Sequence, residues 1–382
     1  MILSRVRAVP GTRSDMRVAI VGGGLAGFVA YTTLLHGGME PEDVTVFDAS
    51  GRDPAAVWRR RAEAIRQQRM RSESDGHCLP TSFPGLAVRA ARRRVSPLPI
   101  VQSLCNRYHP TVAEFLEHVA EVQARTGWET RVVARRIERV TAVEDGFVLE
   151  GAERTFRHVL LALGHPGLNV PAELEADPRS VHAYEPHEYA ADVAVVGAGM
   201  AAATEWLNAL AAGARVTSVR RREPLRRPLN VPRALFSRRG LADYHTSGAG
   251  ARTELLEHLL EPSFPSGQTW DGPLEDATRL GRFSVASQVD GEEQVICATG
   301  FKRGFAQDRL LGRLVDEHRL ETHDRWLVLS PDCTVPALTD ADRTLSIAGA
   351  AAQWAYPAAD TLVGAKYAAR GFLSRITACR TR

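Results

Sequence analysis

Two short glycine clusters hold the residues whose types and spacing could do chemistry. They are Gly22-Gly23-Gly24-Leu25-Ala26-Gly27 and Gly197-Ala198-Gly199-Met200-Ala201-Ala202, about 175 residues apart. In each, the first glycine allows a tight turn and the second lets the backbone approach a pyrophosphate. The third position, Gly27 or Ala202, lets the next helix pack closely on its strand. The N–H groups freed at such a helix start bind phosphate oxygens. The chemistry implied is the holding of dinucleotides, once in each half of the chain.

The flanking residues supply what these turns require. Arg17-Val18-Ala19-Ile20-Val21 is an apolar run bounded by glycine, which suits a strand buried on both faces. After the helix that follows, Val44-Thr45-Val46-Phe47 reads as a second strand ending on Asp48, whose carboxylate can accept hydrogen bonds from a ribose. The second unit repeats the order: Val193 to Val196, the glycine turn, a helix through Leu210, and a strand from Arg215 to Val219. Its strand ends on Arg220-Arg221-Arg222 instead of an acid. A carboxylate repels a 2′-phosphate, whereas guanidinium groups grip one with paired hydrogen bonds. The first unit is therefore assigned to an adenosine without a 2′-phosphate and the second to NADPH.

Composition bounds the alternatives. A chain of 382 residues has room for about two or three domains. The net charge is only +3, and Lys302 and Lys366 are the only lysines. The basic runs Arg59-Arg60-Arg61 and Arg92-Arg93-Arg94 read as solvated faces, and no nucleic-acid partner is expected. No apolar run approaches the ~20 residues of a membrane span. Residues 1–14 read as an N-terminal tail without a signal-peptide core, so a cytoplasmic protein is expected. The cysteines Cys78, Cys105, Cys297, Cys333 and Cys379 form no CxxC pair, which argues against a dithiol relay. His77-Cys78 is isolated and the other histidines lack ligand spacing, so no metal site is expected.

The remaining segments supply supporting elements. Gly51 to Arg69 carries Trp58 in an arginine-rich helical pattern, and Arg71 to Pro99 reads as a long loop. Thr111 to Ala124 reads as an amphipathic helix with Thr111 as its N-cap. Strands are expected at Thr130 to Val133, Ile137 to Val143, Gly146 to Leu149 and Arg157 to Leu163. Thr253 to Leu260 reads as a short helix, Pro262 to Leu280 as a loop, and Pro357 to Ile376 as a helix with proline at its start. Tyr244, His245 and Trp270 could shape a small-molecule site, although each is more simply a packing residue. The fold class is α/β: two Rossmann-like dinucleotide-binding domains, the second inserted in the first. The expected boundaries are 15–168 with 297–382 for one domain and 169–296 for the other, the latter with a substrate or lid segment.

With these motifs in hand, the chain resembles the class B flavin-dependent monooxygenases, two-domain flavoproteins that include N-hydroxylating enzymes. The resemblance rests on Gly22/Gly24/Gly27 with Asp48, Trp58, Gly197/Gly199/Ala202, Leu161 to Pro166, Val181 to Tyr184, Cys297 to Phe301, and Leu345 to Ala350. It implies FAD on the first turn and NADPH on the second, with Trp58 near the flavin. It adds Gly164, Thr299, Gly300 and Gly349 as cofactor-binding residues. It also implies insertion of one oxygen atom from O2 into a small-molecule substrate through a flavin hydroperoxide, N-hydroxylation slightly ahead of other oxygenations. Arg71, Ser72 and His77, in the loop after Trp58, are the candidate polar groups at the flavin. A homo-oligomer is compatible with this resemblance. The sequence departs from the family at Ala350, where many relatives have aspartate, and around His182, where no glycine stands four residues upstream. Two other readings stay open: a flavin reductase or oxidase passing electrons to an acceptor, and a nucleotide-bound protein without chemistry.

Overall fold

The computed structural model describes residues 17–70, 85–104, 108–227, 231–267, 269–291 and 293–380. Two five-stranded sheets organise the chain, and every strand pairing within them is parallel. The first runs, in spatial order, Thr344–Ile347, His158–Leu161, Val18–Val21, Val44–Asp48 and Val132–Ala134. Val18–Val21 lies at its centre and is buried throughout, as its unbroken apolar run requires. The second runs Phe283–Ala286, Arg215–Val219, Asp192–Val196, Gln294–Cys297 and Ser180–His182.

Connectivity explains how the sheets relate. The chain crosses from Val18–Val21 through helix Leu25–His36 to Val44–Asp48, then through helix Val112–Thr126 to Val132–Ala134. A three-stranded antiparallel ribbon over residues 140–156 precedes the return at His158–Leu161. The chain then builds the whole second sheet before coming back to finish the first with Thr344–Ile347 and helix Leu362–Arg380. The second nucleotide-type unit is thus inserted in the first. In both sheets strand order reverses beside the central strand, at the carboxyl end where α/β folds open a ligand crevice.

Packing fixes the helices that frame this crevice. Helix Leu25–His36 lies against helix Leu362–Arg380, where Ala365, Ala368, Ala369 and Phe372 are buried. Small side chains there let the two backbones come close: a Cβ on Gly37 would sit 2.1 Å from Leu373. Helix Val112–Thr126 opens on a capping box, Glu114 N–H donating to Thr111 Oγ1 at 3.1 Å and Thr111 N–H to Glu114 Oε2 at 2.9 Å.

Several expectations are corrected. The stretch from Arg71 to Pro99 contains helix Leu86–Arg94 and the start of helix Leu98–Leu104, and residues 71–84 lie outside the described residues. Arg93 and Arg94 of that helix pair with Glu117 and Glu114 of helix Val112–Thr126. Pro262 to Leu280 contains strand Ser263–Phe264 and helix Asp271–Arg279, whose Pro273 sits in the first turn, where no N–H is needed. The final helix begins at Leu362 instead of Pro357. Thr361 caps it, its hydroxyl accepting from Gly364 N–H at 3.1 Å. No helix among the described residues is long and apolar enough to cross a membrane.

Candidate functional site

A cavity of about 580 Å³ lies over the carboxyl ends of the first sheet. Gly22 turns the chain directly after strand Val18–Val21. Its φ is +106°, and a Cβ there would lie 2.2 Å from the Ala162 carbonyl oxygen, so only glycine fits. A Cβ on Gly27 would lie 1.9 Å from the Gly22 carbonyl, which is the close packing of helix on turn. Nothing stands within 4 Å of the position a Gly24 Cβ would take. Gly24 caps helix Leu25–His36 without any side-chain hydrogen bond, leaving the first N–H groups of the helix free. Gly22, Gly24, Leu25 and Ala26 all line the cavity, and an open backbone cradle at a helix start fits a pyrophosphate. Asp48 closes the next strand. Its Oδ2 accepts from Gly23 N–H at 2.6 Å and its Oδ1 from Ser50 N–H at 2.6 Å. The Ser50 hydroxyl also donates to Oδ1, so it is Oδ2 that keeps a lone pair for a ligand hydroxyl.

The far wall comes from helix Ala56–Ala64, whose Val57, Trp58 and Arg61 share the cavity face. Trp58 is fixed edge-on against Phe115, centroids 4.8 Å apart. Met70, Val231 and Phe236 add apolar lining, and Gly164 and Gly349 close the side near the central strands. Asp360 also lines the cavity and faces Arg303 at 3.5 Å, with the other guanidinium nitrogen of Arg303 donating to Gln353 at 3.0 Å. Arg71, Ser72 and His77 lie outside the described residues.

The two crossings between the sheets are zipped together. Leu168 and Phe301 form an antiparallel bridge, Asn169 N–H donates to Gly300 O at 3.0 Å, and Lys302 N–H donates to Gly167 O at 2.9 Å. Thr299 donates its hydroxyl to the Asn169 carbonyl. Across this ribbon the rings of His165, Phe301 and Tyr184 stack, with centroids 4.3 Å and 5.1 Å apart. His165 lines the cavity, and burial, aided by Arg303 and Arg61, pulls its pKa down to about 3, so its ring is neutral. Its Nε2 is buried and unbonded among the described residues. Such an atom is satisfied only by a ligand or water.

The second glycine turn repeats the first. Gly197 has φ +126°, and a Cβ there would lie 2.5 Å from the Ala298 carbonyl oxygen. Gly199 caps helix Met200–Ala211 without side-chain help and faces open space, while Ala202 is buried against the sheet. The three arginines after strand Arg215–Val219 separate. Arg220 folds back over Trp206 at 5.6 Å and donates to Glu223 at 2.6 Å, whereas Arg221 and Arg222 are exposed. Arg220 also borders a hollow of about 390 Å³ shared with helix Asp271–Arg279.

Some residues stand apart from their sequence reading. Arg61 belongs to a run read as solvated, yet its guanidinium lies 4.6 Å above the Phe301 ring, inside the site. Its partner ring is 240 positions away in sequence, so nothing local could reveal the contact. Tyr244 and His245 serve packing: Tyr244 donates to the Gln353 and Trp354 carbonyls, and His245 Nε2 meets the Ala355 carbonyl at 2.7 Å. Trp270 is buried in the core under the second sheet. Asp360, Phe236 and Gln67 line the cavity without any motif to announce them.

The family model described as pyridine nucleotide-disulphide oxidoreductase matches residues 16–235. None of the curated proteins matches the chain in sequence. Among solved structures, the chain is similar to the ornithine hydroxylase of Pseudomonas aeruginosa, with 15% identity, 94% of this chain and 99% of that one covered, and a TM-score of 0.67. It is similar to the ornithine N-hydroxylase of Kutzneria sp. 744, described with reduced FAD, NADP+ and L-ornithine, at 16% identity, 96% and 99% coverage and a TM-score of 0.71. The L-lysine 6-monooxygenase of Pseudomonas syringae follows at 15% identity, 96% and 99% coverage and a TM-score of 0.66. At these identities the likeness is one of fold.

Proposed function

Because the chain belongs to the pyridine nucleotide-disulphide oxidoreductase family, we propose that it is an FAD-dependent, NADPH-consuming monooxygenase. It inserts one oxygen atom into a small-molecule substrate, with N-hydroxylation ahead of other oxygenations. The observation that carries this reading is the pair of uncapped glycine turns at the carboxyl ends of two parallel sheets, joined by a zipped ribbon that borders one cavity. The similarity in fold to hydroxylases of ornithine and lysine supports oxygenation of an amine.

The residues divide the work by position. The amides of Gly24, Leu25 and Ala26 would hold the FAD pyrophosphate, Asp48 the adenosine ribose, and Trp58, Gly164 and Gly349 the surroundings of the ring. Gly197, Gly199 and the start of helix Met200–Ala211 would hold the NADPH pyrophosphate, with Arg221 and Arg222 on the 2′-phosphate and Thr299 and Gly300 at the crossing. FAD, when bound, supplies the hydride acceptance and oxygen activation that no side chain here offers. Trp58, Met70, Phe115, Val231 and Phe236 give that cavity an apolar wall, which would help keep water from the flavin ring so that oxygen transfer outruns simple reoxidation. Among the described residues, Cys297 and Cys333 are buried free thiols whose pKa values burial raises, the opposite of an electron-relaying thiolate.

The test starts with purified protein mixed anaerobically with NADPH and then with oxygen, in the presence of a panel of amines, sulfides and ketones. A product heavier by one oxygen atom, with flavin bleached by NADPH beforehand, is the expected result. Bleaching followed by reoxidation with no oxygenated product from any of the panel would move the assignment to a reductase or oxidase.

A further inference from the structure

A second cavity, of about 550 Å³, lies on the other side of helix Ala56–Ala64. It is bordered by Arg60, Arg61 and Arg66 of that segment and by Tyr184, His187 and Glu188, which follow strand Ser180–His182 of the second sheet. It therefore opens just past the carboxyl end of that edge strand, and Glu63 also borders it. Arg61 and Val57 line both cavities, so Arg61 stands where they meet.

The charges around Arg61 are unbalanced. Arg59 pairs with Asp53 at 2.9 Å and Arg66 with Glu188 at 2.8 Å. Arg61, half-buried, makes no ion pair among the described residues and rests only on the face of Phe301. Burial, opposed by Tyr184, draws its pKa below the ordinary guanidinium value without removing its charge. A cation taken partly out of water without a counter-charge is costly, and a ligand anion relieves that cost. Beside it, Tyr184 stacks within 8° of parallel on Phe301 and itself borders the second cavity. A guanidinium without an ion-pair partner, set at the edge where two cavities meet, suits a phosphate oxygen.

We infer that Arg61 grips a phosphate oxygen of the nicotinamide half of NADPH in the second cavity, and so sets the nicotinamide against the first cavity. This rests on the NADPH reading above. It separates the cofactor into two charge contacts: Arg221 and Arg222 for the adenosine 2′-phosphate and Arg61 for the nicotinamide-side phosphate.

Binding of NADP+, nicotinamide mononucleotide and 2′,5′-ADP to the FAD-loaded protein tests the division, since none of them turns over. Arg61→Gln is expected to weaken NADP+ and nicotinamide mononucleotide by about tenfold to a hundredfold, as loss of a charged hydrogen bond does. It should leave 2′,5′-ADP, which lacks the nicotinamide half, unchanged, and Arg61→Lys should recover part of the loss. Wild-type affinity of Arg61→Gln for NADP+ overturns the inference. So does an equal loss for 2′,5′-ADP, which would mean a general effect on the site. If the unaltered protein binds neither NADP+ nor 2′,5′-ADP, the NADPH reading itself fails and the role of Arg61 fails with it.

Discussion

His165 and Phe301 stack with centroids 4.3 Å apart and planes 23° from parallel, although one stands on the outgoing and the other on the returning crossing between the sheets. The link between the two nucleotide-type units is therefore a ribbon clamped by rings as well as by backbone hydrogen bonds. Phe301→Ala removes the stacks on both His165 and Tyr184 and the cation contact of Arg61. At ~0.5–1.5 kcal/mol per aromatic pair, a loss of about 1–3 kcal/mol in stability is expected, with Phe301→Tyr near the original. Denaturant midpoints read this directly, and an unchanged Phe301→Ala midpoint would show that the rings clamp nothing.

The two glycine turns permit a selective lesion. Gly197→Ala drives a Cβ to 2.5 Å from the Ala298 carbonyl at a positive φ, while the first sheet and its cavity are untouched. The variant is expected to keep its FAD and lose NADPH reduction of the flavin by tenfold or more. Gly22→Ala, with its Cβ 2.2 Å from the Ala162 carbonyl, is expected to lose FAD itself. Flavin absorbance of the purified variants, before and after NADPH, separates the two. The same lesion in both would contradict an assignment of one cofactor to each turn.

Both turns and Asp48 were legible from sequence because their logic is local: glycine spacing, an apolar strand before and an acid or arginine after. What escaped depends on contacts made over long separations. Arg61 looks like its neighbours Arg59 and Arg60 until the chain returns with Phe301. Helix Leu86–Arg94 is held by glutamates of helix Val112–Thr126, which lie 20 and 24 positions on from the arginines they pair with. The start of the final helix could have been read, since Thr361 is an N-cap type and Pro357 is not required at N1. Asp360 faces Arg303, 57 positions away, and no short-range pattern marks it.

The arginine triplet carries nucleotide selectivity unevenly. Arg220 already spends its guanidinium on Glu223 and on the Trp206 ring, while Arg221 and Arg222 remain exposed. Replacing Arg221 and Arg222 together by alanine is expected to lower the preference for NADPH over NADH by about tenfold to a hundredfold, with NADH itself little changed. Arg220→Ala is expected to cost stability through its partners instead. Anaerobic rates of flavin reduction by each nucleotide measure the ratio, and a preference that survives the double change moves the 2′-phosphate contact elsewhere.

A final expectation concerns acid. His158 is buried in the first sheet, between Val18 and Thr344, and its Nδ1 has no partner among the described residues. Burial, with help from Arg157, lowers its pKa from 6.5 to about 4. The unfolded chain takes up this proton near pH 6.5, whereas the folded chain resists it until about pH 4. Between those values the unfolded state binds more protons, so stability falls as pH drops, by up to roughly 3 kcal/mol for this one group. His158→Leu keeps the bulk and removes both the titration and the orphaned nitrogen. Its denaturant midpoint is expected to decline less than that of the unaltered protein from pH 6.5 to pH 4 and to match or exceed it near pH 7. Parallel decline of the two across that window would assign the acid sensitivity to other groups.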